Sequence, residues 1–92
     1  MNEQERLALA QQAVEQAGRL FGLTGSVEPA HWEGDTPEES VDGFWVRYAE
    51  LRLTLSYEWD NELAQDPQAL YRSLCGVLLD YRKPIVPKAE DT

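Results

Sequence analysis

The sequence predicts an α+β fold in which an N-terminal and a C-terminal helix pack on one face of a small antiparallel sheet, in the order α-β-β-β-α. Three observations predict it. Apolar residues recur at helical spacing over residues 2–21 and again from Pro67 to Arg82, and between these stretches the period falls to two. A chain of 92 residues, 42% of them apolar and nine aromatic, holds one core and has no room for a second domain. That domain is expected to span residues 1–87, with 88–92 a frayed C-terminal tail.

The first helix has Asn2 as its N-cap, and Glu5 three positions on completes a capping-box-like pair. Leu7, Ala10, Val14, Ala17 and Phe21 form one stripe, widened by Ala13 and Leu20, and Gly22 supplies a left-handed stop. So alanine-rich a stripe suits either a close-packed core face or a helix–helix seam between two copies. In the second helix Asp66 is the N-cap and Pro67 occupies N1, where its missing N–H costs nothing. Leu70, Tyr71, Leu74, Val77, Leu78 and Tyr81 share one face. Gly76 within this helix costs about 1 kcal/mol relative to alanine, and a closely approaching neighbour is the expected compensation. Arg82 and Lys83 complement the helix dipole, and Pro84 ends the helix.

Between the helices, Ser26 to Glu33 reads as a weak edge strand because Pro29 cannot donate to a ladder. Residues 34–40 form a loop. Phe44, Val46 and Tyr48 then alternate on even positions, and Leu51, Leu53, Leu55, Tyr57 and Trp59 on odd ones. A single strand over 43–59 would run roughly 56 Å, too long for so small a domain. The phase switch at Ala49-Glu50 places a hairpin there, pairing 48 with 51, 46 with 53 and 44 with 55. Ala-Glu is poor chemistry for a two-residue turn, so a bulge or a longer connection remains an alternative. In that register the face away from the helices carries Trp45 as an exposed indole, with Arg47 opposite Arg52. Trp45, Arg47 and Arg52 are therefore candidate partner contacts, tryptophan and arginine being enriched at binding hot spots. The bland alternative is that nearby acids fold over and neutralise the arginines.

Charge carries the functional reading. The chain holds 17 acids against 8 lysines and arginines, a net −9. Residues 28–66 contain eleven acids and only Arg47 and Arg52 as bases, so they hold the whole net charge. Such a balance excludes direct binding to nucleic acid or to an anionic membrane, both of which need a basic face. The element order matches that of small modules such as double-stranded-RNA-binding domains, but the charge has the wrong sign for their function and order alone implies no kinship.

Two readings of the acids stand: a solvated, solubilising face, or a docking surface for a basic protein, such as a nucleic-acid-binding protein. The surface would comprise Glu33, Asp35, Glu38, Glu39, Asp42, Glu58, Asp60 and Glu62. In its sharpest form Glu58, Asp60 and Glu62 lie on extended chain about 6.6 Å apart, an anionic row mimicking nucleic acid. That is the strategy of small acidic anti-restriction and anti-CRISPR inhibitors; the likeness is to a strategy, not to a motif. The reading is of a non-catalytic adaptor or inhibitor, monomeric or homodimeric. Its alternative is a structural subunit that self-associates through the alanine-rich helix or the Trp45 face.

Catalytic residues, cofactors and metals are not expected. His31 has no nucleophile at triad spacing. Glu28, His31, Glu33 and Asp35 could offer metal ligands but read more simply as a solvated segment. Asp60-Asn61-Glu62 with Asp66 lacks the glycine and the closing glutamate of a calcium loop. The lone Cys75 reads as structural and fits a reducing compartment. No apolar run approaches the ~20 residues that cross a bilayer. A cytoplasmic protein is expected.

Overall fold

The structure, a computed structural model, describes residues 2–85. Its elements are α1 (Glu3–Arg19), β1 (Gly25–Trp32), β2 (Val41–Tyr48), β3 (Leu53–Glu58), a one-turn helix α2 (Glu62–Gln65) and α3 (Pro67–Leu79). The strands form one antiparallel sheet in the order β1-β2-β3, so β2 is central. The α-β-β-β-α order and the layering of helices on one face of the sheet are as expected. The expected tail 88–92, and Val86 and Pro87 before it, lie outside the described residues.

Both helix starts follow the capping chemistry. Asn2 Oδ1 accepts from the Glu5 N–H at 2.9 Å, and Asp66 Oδ1 accepts from the Gln68 N–H at 3.0 Å, ahead of Pro67. Gly22, at φ +70°, makes the left-handed turn after α1. The helix α2 was not expected. Asn61 caps it, accepting from the Leu63 N–H at 2.8 Å.

The core joins Ala10, Ala13, Val14 and Ala17 of α1 and Leu70, Leu74 and Leu78 of α3 to Phe44, Val46 and Tyr48 of β2. The alanine stripe is thereby spent inside the chain: Ala10 and Ala13 are 3% exposed and Ala17 not at all. Small residues let α1 approach β1 and β2 closely. A Cβ on Gly25 would sit 2.5 Å from Val14 Cγ1 and 2.7 Å from the Tyr48 ring, and one on Gly18 would meet the Leu23 carbonyl oxygen at 2.7 Å. Tyr48 occupies the space so preserved, and its hydroxyl donates to the Val14 carbonyl at 2.8 Å. Burial pushes its phenol well above the ordinary range.

Three expectations need correction. The hairpin is not a two-residue turn. Tyr48 pairs with Leu53, Val46 with Leu55 and Phe44 with Tyr57, two residues on from the expected register. The connection is a 3-10 turn over Ala49–Leu51 closed by Arg52 at φ +53°. A two-residue turn matched to strand twist needs positive φ at both positions, which Ala49 and Glu50 resist; the longer turn concentrates that requirement on Arg52. A shift of two preserves side-chain alternation, so Leu53, Leu55 and Tyr57 still face the helices, while Leu51 leaves the sheet for the turn.

Second, α3 stops at Leu79 rather than Arg82, and Tyr81, expected on the apolar face of the helix, lies beyond it and is 56% exposed. The chain tightens into turns beyond Leu79, with the Arg82 N–H on the Leu78 carbonyl, and crosses back until the Ile85 N–H reaches the Leu20 carbonyl at 2.7 Å. Docking against the end of α1 prevails over continued helix. Third, a Cβ on Gly76 would meet nothing within 4 Å, so no neighbour among the described residues approaches it.

Candidate functional site

An antiparallel three-stranded sheet places the end of β1, the start of β2 and the end of β3 together. The two base-free acidic stretches, one linking β1 to β2 and the other following β3, therefore converge at one end of the molecule. The junction is direct, since the Trp59 N–H donates to the Asp42 carbonyl at 2.9 Å and Gly43 pairs with Glu58. All eight acids of the expected docking surface lie at this end: Glu33, Asp35, Glu38, Glu39 and Asp42 on the β1 side, Glu58, Asp60 and Glu62 on the β3 side. All eight are solvent-exposed.

Their local roles differ. Glu39 folds back across Gly34, its Oε2 accepting from the Asp35 N–H at 2.8 Å. Asp42 Oδ1 lies 2.7 Å from His31 Nδ1, the one close pair of opposite charges among the described residues when the imidazole is protonated. This hydrogen bond raises the His31 pKa above 6.5; desolvation opposes it, and the charges of Asp42 and Glu33 add to it. The anionic row does not form as expected. The chain turns after Glu58, the Asn61 N–H bonds back to the Glu58 carbonyl at 3.0 Å, and Glu62 opens α2.

The opposite end is basic. Arg52 lies in the β2–β3 turn, Arg47 near the end of β2 and Arg19 at the end of α1. Arg82 Nη1 donates to the Phe21 carbonyl at 3.3 Å. The one acid of that turn, Glu50, is engaged by backbone: its Oε1 accepts from the Thr24 N–H at 2.8 Å, and this bond lowers its pKa.

The sheet face away from the helices carries Trp45, Arg47, Thr54, Ser56 and Glu58, as expected. Arg52 has left it for the turn, and Arg47 stands opposite Thr54, so the arginine pair is absent. Trp45 is half-buried rather than exposed, because Trp32 of β1 packs edge-on against it, centroids 5.5 Å apart at 67°. Sequence reasoning overlooked Trp32. Its parity with Ala30 and Glu28 on β1 was the available signal.

Trp59, on the inner side, packs against Phe44 at 4.7 Å and lies under the Arg6 guanidinium, 5.8 Å from the ring centroid. Trp59 and Arg6, with Leu9, Gln65, Pro67 and Leu70, line a cleft of about 310 Å³. Comparison with protein-family models, curated proteins and solved structures finds no match to the chain.

Among the described residues no three of His, Cys, Asp and Glu converge as metal ligands, and alternation sends Glu28 and His31 to opposite faces. Cys75 is half-buried, and burial pushes its thiol pKa up, away from nucleophilic reactivity. No described helix is long and apolar enough to cross a membrane.

Proposed function

We propose that the chain is a non-catalytic docking module that presents the acidic end of its sheet to a basic protein surface, acting as an adaptor or inhibitor in a cytoplasmic setting. The observation that supports this reading is the convergence of two sequence-distant acidic stretches at one end of the sheet, while five of the eight lysines and arginines (Arg19, Arg47, Arg52, Arg82 and Lys83) belong to the other end. A merely solubilising charge needs no such segregation. A docking surface gains from it, because a concentrated potential steers encounter and sets orientation. A nucleic-acid-binding cleft is the sharpest case of such a partner. The acids would then act as a cluster, since the chain around Glu58, Asp60 and Glu62 is not an extended row.

The test is capture from the native host with two baits, the wild-type chain and one carrying Glu38→Lys, Glu39→Lys, Glu58→Lys, Asp60→Lys and Glu62→Lys. A partner that binds wild type, is lost from the reversed bait and weakens steeply with salt supports the reading. Equal capture by both baits, or an affinity flat across a salt titration, sinks it. Competition of the captured partner by DNA or RNA distinguishes nucleic-acid mimicry from other docking.

A further inference from the structure

The two edges of the sheet differ. On β1 two outward groups are occupied: the Val27 N–H donates to Gln11 Oε1 at 2.9 Å, and Gln11 Nε2 donates to the Gly25 carbonyl at 3.3 Å. At the next outward position, Pro29 has no N–H to offer. Gln11 of α1 and Pro29 thus guard that edge from Gly25 to Pro29. The β3 edge has no such guard. Because the Trp59 N–H bonds inward to Asp42, the odd residues of β3 face β2; Thr54 and Ser56 turn their backbone groups outward, while the outward Glu58 carbonyl takes the Asn61 N–H. Among the described residues no side chain caps these groups. The helical layer also thins toward this edge. Phe44, Val46 and Tyr48 of β2 are fully buried, whereas Leu53 and Leu55 of β3 are only half-buried. An open strand beside incompletely covered leucines is a template for pairing with another strand.

Charge selects the occupant. Arg52, in the turn, immediately precedes β3 at the basic end, and Glu58 closes the strand at the acidic end. We propose that β3 pairs antiparallel with β3 of a second copy of this chain, extending the sheet to six strands across a two-fold axis. Antiparallel pairing sets each acidic end beside the other copy's basic end, whereas parallel pairing would set acid beside acid. Hydrogen bonding requires even residues to oppose even residues. The register that also joins opposite charges places Leu55 against its counterpart on the axis and Thr54 opposite Ser56, and brings the side chain of Arg52, in the turn just before β3, beside Glu58 of the second copy. The leucines left half-covered in one copy then pack across the axis. The inference does not rest on the docking function proposed above; Glu58 belongs to both surfaces, so Ser56→Pro and Arg52→Glu, which lie outside the acidic end, are the variants that separate the two.

Sedimentation equilibrium of the wild-type chain over roughly 1 μM to 1 mM should show a monomer–dimer equilibrium. Ser56→Pro removes an outward N–H without touching the β2–β3 ladder, so it should keep the native circular dichroism and melting behaviour and abolish the dimer. Arg52→Glu and Glu58→Arg each create two like-charge pairs and should weaken self-association at least about tenfold. An equimolar mixture of these two variants makes both pairs complementary again and should restore dimer. A wild-type chain monomeric throughout the range, a dimer indifferent to Ser56→Pro, or single variants that are not rescued on mixing would each overturn the proposal.

Discussion

At residue scale the informative positions are those where side-chain chemistry and backbone geometry disagree. Gly76 is a helix-interior glycine with open space where its Cβ would be, so nothing opposes a methyl group there. Gly76→Ala should raise stability by about 1 kcal/mol in urea denaturation; an unchanged midpoint would mean that the glycine serves something other than the isolated fold. The reason the sequence misled here is physical. A glycine in a helix signals either close approach or mere tolerance, and only the neighbours decide. His31 gives a second residue-scale prediction. Its folded pKa lies above 6.5, so the stabilisation it contributes is fully present below that value and is lost as pH rises through the raised one. NMR titration should find the imidazole pKa above the ordinary value in wild type and returned toward it in Asp42→Asn, with the stability profile of that variant flatter between about pH 6 and 8.

At the scale of elements, helices and strands were legible because periodicity changes where the structure changes. Asn2, Asp66 and Pro67 announced the helix starts, and the parity switch after Tyr48 announced the hairpin. What escaped was set by tertiary contact. The turn length depended on whether Arg52 would accept a left-handed backbone, and the end of α3 on the return of the chain to the Leu20 carbonyl. Trp32 was missed because one tryptophan on a strand labelled weak carried no pairing information until the strands were registered. The packing of α1 on β1 makes its own prediction. Gln11→Ala removes both bonds to the β1 edge and should cost about 1 kcal/mol, with the Val27 amide losing most of its protection from hydrogen exchange. Gly25→Ala should cost more, about 1–3 kcal/mol, because the new methyl group would overlap both Val14 and the Tyr48 ring.

At the scale of the whole molecule, the sequence located the net charge in residues 28–66 but not its geometry. Linear order could not reveal that 33–42 and 58–62 meet, because their meeting is a property of strand direction. Nor could it reveal that α1 contributes Arg6 to the same end, over Trp59. Crowding like charges carries a cost that salt relieves. A variant with Glu38→Gln, Asp60→Asn and Glu62→Gln should therefore melt higher than wild type at low ionic strength, and the difference should shrink in about 0.5 M salt. A gain that persists at high salt would point to local causes instead of repulsion. The guarded β1 edge has a consequence for stoichiometry. Two faces that each template the other could add copies without limit, as filaments do, but a sheet with one edge closed has a single site for growth. Under the proposed pairing a symmetric pair would consume both such sites at once, so assembly by this route would end at two subunits, with Gln11 and Pro29 obstructing growth from the other edge.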